Sequence, residues 1–199
     1  MEARARKLAK DEDFREPDGG FWVFGYGSLM WRPGFPFVER RLARLSGFAR
    51  AFCLWSIQYR GTPENPGLVL GLKQDPDCDT RGVAFRVPAE AADDARAYLV
   101  DREMMTASYQ EAVVPLATEG GEIRGIAYVV DQTHPQFAGN LTLEEQARVI
   151  ASSVGPMGRN CAYLFNTLEH LRHVGVNDSD LSEMHQLQAR VRALQKNRK

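Results

Sequence analysis

The stretch Phe21-Trp22-Val23-Phe24-Gly25-Tyr26-Gly27-Ser28-Leu29-Met30-Trp31 carries the pattern on which the fold turns. Its first half is apolar and aromatic without periodicity, as in a strand buried on both faces. The run breaks at Gly25 and Gly27, residues that accept backbone angles closed to others and let a ligand approach the main chain. Ser28, Leu29 and Met30 follow, so hydrophobic bulk walls the turn. A buried strand that ends in a Gly-rich turn presents backbone N–H groups to a pocket, which suits a ligand with oxygens. The simpler reading is a tight turn whose glycines only relieve strain. Gly25-Tyr26-Gly27-Ser28 lacks the third glycine of a dinucleotide fingerprint and the Gly-Lys-Ser/Thr ending of a P-loop. Nor is Ser28 set between glycines as in a nucleophile elbow.

Upstream, residues 1–20 hold five basic and six acidic residues and end in Pro17-Asp18-Gly19-Gly20. That composition predicts a charged, flexible, solvated extension outside the core. Residues 21–199 are long enough for a single domain with a substantial core. Downstream, Pro33, Gly34 and Pro36 forbid regular structure. Residues 42–56 read as two strand pieces divided at Ser46-Gly47, and Gly61, Pro63, Asn65, Pro66 and Gly67 make 59–67 a loop. Residues 68–74 and 82–87 read as short strands flanking a turn at Asp75-Pro76-Asp77. Pro88 opens a helix with Ala91, Ala95, Tyr98 and Leu99 on its buried side and Asp93, Asp94 and Arg96 opposite. Residues 109–116 and 122–130 are strands joined at Glu119-Gly120-Gly121. Thr142-Leu143-Glu144-Glu145 is a capping box for a helix ending at Gly155-Pro156, and further helices are predicted at 160–174 and after Asp178-Ser179. Short strands first, one helix among them, then helices predict an α+β fold. The sheet is small, mostly antiparallel and curled toward a barrel, with helices packed outside.

A net charge of −1 argues against nucleic acid or an anionic membrane as the main partner. No apolar run approaches transmembrane length, and the first residues are charged, unlike a signal peptide. Cys53, Cys78 and Cys161 are odd in number and widely spaced. They point to free thiols in a reducing compartment, hence a soluble, cytoplasmic protein. The oligomeric state stays open. His170 and His173 stand at i, i+3, but no third ligand lies at metal-site spacing, so no metal or cofactor is expected.

Asp101-Arg102-Glu103 precedes two flexible apolar residues, Met104 and Met105. These are either charges on a solvated helix end, or Glu103 faces an apolar pocket. In a pocket, desolvation would lift its pKa toward the value useful to a general base. Arg60, in the Gly/Pro-rich loop, is suited to holding a carboxylate, and Tyr109 and Tyr163 are polar candidates whose hydroxyls need partners if buried.

Together these segments resemble the ChaC-type γ-glutamylcyclotransferases, the glutathione-degrading branch of their superfamily. The resemblance is carried by Val23-Phe24-Gly25-Tyr26-Gly27-Ser28-Leu29-Met30-Trp31 and Tyr59-Arg60-Gly61-Thr62-Pro63. It continues in Gly82-Val83-Ala84-Phe85-Arg86, Tyr98-Leu99-Val100-Asp101-Arg102-Glu103 and Gly155-Pro156-Met157-Gly158-Arg159-Asn160-Cys161-Ala162-Tyr163-Leu164. It implies that the loop Val23, Phe24, Gly25, Tyr26, Gly27, Ser28 and Leu29 binds a γ-glutamyl group. It also implies that Glu103 is the catalytic acid/base and that Tyr109 and Tyr163 lie in or near the pocket. Arg60 joins the substrate-binding set. Two features depart from the family pattern: the segment between Glu103 and Tyr109 is longer, which bears on glutathione selectivity, and the charged extension has no counterpart in compact members. The implied reaction cleaves glutathione to 5-oxoproline and cysteinylglycine by attack of the α-amine on the γ-carbonyl. Alternatives are a cyclotransferase for another γ-glutamyl amine or peptide, and a non-catalytic γ-glutamyl or small-metabolite binding domain. A binder alone would have no need of Glu103.

Overall fold

In the computed structural model, which describes residues 14–104, 108–139, 141–176 and 181–196, the aromatic run forms strand β1 (Phe21–Gly25), buried at every position. Its two edges are occupied. On one side β3 (Gly67–Val87) runs antiparallel, from Phe21 opposite Val87 to Gly25 opposite Val83. On the other, β5 (Gly121–Val130) runs parallel, with Val23 opposite Ile126. Trp22 is buried beneath arginines, with the guanidinium of Arg41 4.9 Å and that of Arg86 5.9 Å from its ring.

With β2 (Glu39–Ser56) and β4 (Tyr109–Thr118), these strands close a five-stranded barrel in the order β1-β3-β2-β4-β5. The α+β expectation holds: a closed barrel and, among the described residues, four α-helices. The backbone divides into two units, residues 1–50 with 72–131, and residues 51–71 with 132–199. The first holds β1, β4, β5, most of β2 and β3, and α1 (Ala92–Glu103).

Several local expectations change. Residues 39–56 form one strand, not two, because Gly47 takes φ +82 inside it, a conformation glycine adopts without steric cost. Residues 67–87 are likewise continuous. The turn propensity of Asp75-Pro76-Asp77 yields to pairing with β2, where Arg44 Nη1 meets Asp79 Oδ2 at 3.0 Å and the Thr80 hydroxyl donates to Phe48 O at 2.9 Å. Pro88 leads only a 3-10 turn, and the α-helix begins at Ala92. Its buried residues are Ala92, Ala95 and Leu99, while Tyr98 is exposed and Arg96 turns inward to Glu111. Phe14, within the stretch expected to be solvated, is 2% exposed and packs edge-on against Phe21 at 5.3 Å. The bidentate pair of Arg86 Nη2 with Asp18, at 2.5 and 2.7 Å, holds the same segment.

In the second unit, α2 (Leu143–Ser152), α3 (Asn160–His173) and α4 (Ser182–Lys196) pack on one another. Ala147, Ile150, Leu164, Leu168, Leu171, Leu187 and Val191 supply the buried seam. The capping box is formed: Thr142 Oγ1 accepts from Glu145 N at 3.3 Å and Glu145 Oε2 from Thr142 N at 2.8 Å. The helix stops at Ser152 rather than at Gly155-Pro156, because Ser153 is extended and its hydroxyl donates to Pro66 O at 2.8 Å. Gly155 lies instead in a short hairpin, β6 (Val154–Gly155) with β7 (Gly158–Arg159). Asp178-Ser179, expected before the last helix, lie outside the described residues. Among the described residues, no helix is long and apolar enough to cross a membrane.

Candidate active site

Past Gly25 the chain enters a 3-10 turn, Ser28–Met30, closed by Met30 N–H to Gly27 O at 2.9 Å. The left-handed freedom expected of the two glycines is not used: Gly27 has φ −137, and neither is among the glycines of positive φ. At Gly25 the constraint is close approach instead. A Cβ there would stand 3.2 Å from Leu29 Cβ and 3.3 Å from Met30 N, since the turn folds back over the strand end. Tyr26, Leu29 and Met30 are buried, Ser28 is exposed, and the Tyr26 carbonyl accepts from Arg50 Nε at 2.6 Å. The leading N–H groups of a helical turn have no acceptor within it. Here they belong to Ser28 and Leu29, beside Gly27.

Glu103 is the last residue of α1, and its side chain is only 17% exposed. Burial pushes its carboxyl above the usual range, opposed by the Arg102 guanidinium, whose Nε lies 3.2 Å from Glu103 Oε1. The rest of the Arg102 fork reaches the loop after β1. Nη2 donates to Ser28 Oγ at 2.8 Å, and Nη1 to Arg32 O at 2.7 Å, Pro33 O at 3.2 Å and Tyr98 Oη at 2.9 Å. Arg102 thus ties the loop after β1 to Glu103.

Behind them, Tyr128 donates its hydroxyl to Glu111 Oε2 at 3.1 Å, and Arg96 Nη2 lies 3.2 Å from Glu111 Oε1. Tyr128 and Glu111 are each 1% exposed. Burial first, then the Glu111 carboxylate and more weakly Glu103, push the Tyr128 phenol far upward, so it remains a neutral donor. Tyr109 opens β4 opposite Val130 and is half-buried. Of the longer segment between Glu103 and Tyr109, residues 105–107 lie outside the described residues.

Arg60 and Tyr163 belong to the second unit, where they stand together: the Arg60 guanidinium is 5.2 Å from the Tyr163 ring centroid. Arg60 Nη1 donates to Met157 O at 2.5 Å, its backbone N–H to Ser56 Oγ at 3.0 Å, and Phe52 packs edge-on against Tyr163 at 5.9 Å. The loop carrying Arg60 is pressed against the β6–β7 hairpin. A Cβ on Gly155 would lie 2.4 Å from Tyr59 O, and one on Gly67 would lie 2.4 Å from Arg60 O. The wholly buried Asn160 fastens the loop, with Leu68 N–H donating to its Oδ1 at 2.7 Å and its Nδ2 donating to Leu68 O at 2.7 Å. Among the described residues, no cluster of three His, Cys, Asp or Glu side chains is placed to hold a metal ion. His170 and His173 turn their Nδ1 atoms to the carbonyls of Asn166 and Glu169, at 2.6 and 2.8 Å.

The family model of the ChaC-like proteins matches residues 21–194. The chain belongs to the ChaC-like family. The glutathione-specific γ-glutamylcyclotransferase of Escherichia coli K12 is 36% identical to this ChaC-like chain over 184 residues, covering 92% of the chain and 79% of that protein. The protein of the same description from Schizosaccharomyces pombe is 36% identical over 194 residues, covering 88% and 94%. Among solved structures, a yeast γ-glutamyl cyclotransferase specific to glutathione matches with a TM-score of 0.77 and 28% identity, covering 88% of this chain and 96% of that one.

Arg102, Glu111 and Asn160 are not among the candidates named from sequence. Arg102 stands in the Asp-Arg-Glu string, but nothing local announces acceptors 69 to 74 positions away. Glu111 left a trace, as a carboxylate just before the apolar run Ala112-Val113-Val114-Pro115-Leu116.

Proposed function

We propose that this ChaC-like chain is a γ-glutamylcyclotransferase that converts glutathione to 5-oxoproline and cysteinylglycine. The observation that carries this reading is Glu103: a mostly buried carboxylate of raised pKa, joined through Arg102 to the turn after β1. A γ-glutamyl amide contains its own nucleophile. Its α-amino nitrogen closes on the γ-carbonyl carbon, the new C–N bond completes a lactam, and the old amide C–N bond breaks. Because the reaction is intramolecular, the protein need only hold the chain in a bent, reactive conformer. Glu103 takes the proton that the α-ammonium must lose and delivers one to the departing amine of cysteinylglycine, so it ends as it began. The loop from Val23 to Leu29 is assigned the γ-glutamyl group, with N–H groups around Gly27 and Ser28 facing the developing oxyanion. Tyr109, Tyr163 and Arg60 are assigned to the substrate, Arg60 to a carboxylate. Cys53, Cys78 and Cys161 form no disulfide, which fits a reducing, cytoplasmic setting.

The test is a panel of γ-glutamyl compounds incubated with the purified protein and assayed for 5-oxoproline. Glutathione is expected to be turned over in preference to γ-glutamyl amines that lack the cysteinylglycine part. A preference for another amine would reassign the substrate, and binding without any 5-oxoproline would leave a binding domain. Turnover is expected to survive prolonged chelation and replacement of Cys53, Cys78 and Cys161 by small residues, because no step above uses a metal or a thiol. Activity lost on chelation and restored by zinc would sink the mechanism.

A further inference from the structure

We propose that Arg102 is a positioning residue, one that holds the Glu103 carboxylate and the loop from Ser28 to Gly34 in a single fixed arrangement. The proposal rests on the reading of Glu103 as the base. A guanidinium is a rigid plane of N–H donors, so fixing part of it fixes the rest. Here the Nη atoms are fixed by Ser28, Arg32, Pro33 and Tyr98, which holds Nε 3.2 Å from Glu103 Oε1 as an ion pair. The loop is held tightly to the same helix. Gly34 lies so close to Tyr98 that a Cβ would stand 2.0 Å from its Oη, and Gly34 has φ +79. Without Nε, a carboxylate on the last residue of a helix keeps its own rotameric freedom. General-base catalysis tolerates little of that, since small displacements of a catalytic group cost rate steeply.

Arg102 also sets the field at Glu103. Among the described residues, Arg102 on its own helix and Tyr128 on β5, which burial and Glu111 keep neutral, act across this carboxylate. The guanidinium therefore opposes the upward push of burial. Removing its charge raises the carboxyl pKa further, and the base is then protonated at a higher pH. The acid limb of the rate profile must move to higher pH, an effect that loss of loop packing alone would not produce.

The experiment compares Arg102→Gln, Arg102→Lys and Glu103→Gln in the full chain, reading kcat and KM for glutathione across pH, with circular dichroism to confirm folding. Arg102→Gln is expected to lower the plateau kcat on the order of 10²-fold, with less effect on KM, and to move the acid limb upward. Arg102→Lys keeps a charge, so its limb should stay near the wild-type position. Its kcat should still fall, because an ammonium cannot fill the fork. A folded Arg102→Gln protein with wild-type kcat and an unmoved limb overturns the proposal while leaving Glu103 as base. If that variant does not fold, wild-type kcat in Arg102→Lys overturns it. An active Glu103→Gln protein removes the base itself, and the proposal with it.

Discussion

Glu103→Gln is expected to lower 5-oxoproline release at saturating glutathione by about 10²–10⁴-fold, and nearer the upper end, while folding and substrate binding survive. The amide has almost the shape of the carboxylate, so it can take the same place beside Arg102, whose Nε lies 3.2 Å from Glu103 Oε1. What it cannot do near neutral pH is take a proton from the α-ammonium. One group serves both proton transfers in the proposed mechanism, so both fail together. Rescue by another carboxylate is not available. Asp101 is exposed, and at two positions along a helix it is turned about 200° from Glu103. Glu111 is 1% exposed and already engaged by Tyr128 and Arg96. The measurement pairs a single-turnover or steady-state assay with a binding assay on the same preparation. A variant that binds glutathione and keeps more than about a tenth of wild-type turnover would show that Glu103 is not the base.

Much of the barrel was legible because burial leaves a mark on composition. β1 has neighbours on both edges and cover on both faces, so its residues lose alternation and read as one apolar run. What misled were signals that are only local. Asp75-Pro76-Asp77 and Ser46-Gly47 have turn chemistry, yet both lie within long strands, where pairing between β2 and β3 decides. Tyr98 fits the helical spacing of core residues, but its hydroxyl accepts from Arg102, and that keeps the ring at the surface. Phe14 is a single aromatic among charges, and its burial depends on Phe21 waiting seven positions on.

The candidate site divides in the same way. Glu103 and the loop after β1 were visible as residue types in a suggestive setting. The contacts that give them their geometry run from one helix end to a loop far back in the chain, and no periodicity encodes them. The same holds in the second unit, where Arg60 could be named from its chemistry. The carbonyl of Met157, the ring of Tyr163 and the clamp at Asn160 that place it could not.

A large stability effect is expected at that clamp. Asn160→Ala should cost about 2–6 kcal/mol, because it strands two buried groups, the N–H and the C=O of Leu68, at about 1–3 kcal/mol each. Asn160 is wholly buried, and both of its bonds to Leu68 are 2.7 Å long. Water cannot replace the amide without opening the site. The geometry also fixes which amide atom is which, since the Leu68 N–H must meet an oxygen and the Leu68 carbonyl must meet a donor. Asn160→Asp separates the two halves of the clamp. It keeps an acceptor for the N–H but sets a second oxygen against the Leu68 carbonyl, and adds a charge with no solvent around it, so it should be at least as unstable as the alanine variant. Chemical denaturation followed by fluorescence and by circular dichroism reads both variants, provided the two probes agree. At a permissive temperature, the folded alanine variant should show a raised KM, since Asn160 starts the helix of Tyr163 and holds the strand that follows Arg60. If Asn160→Ala loses less than about 1 kcal/mol, the Leu68 groups find other partners and the clamp does not place Arg60. If Asn160→Asp matches wild type, the amide Nδ2 contributes nothing to it.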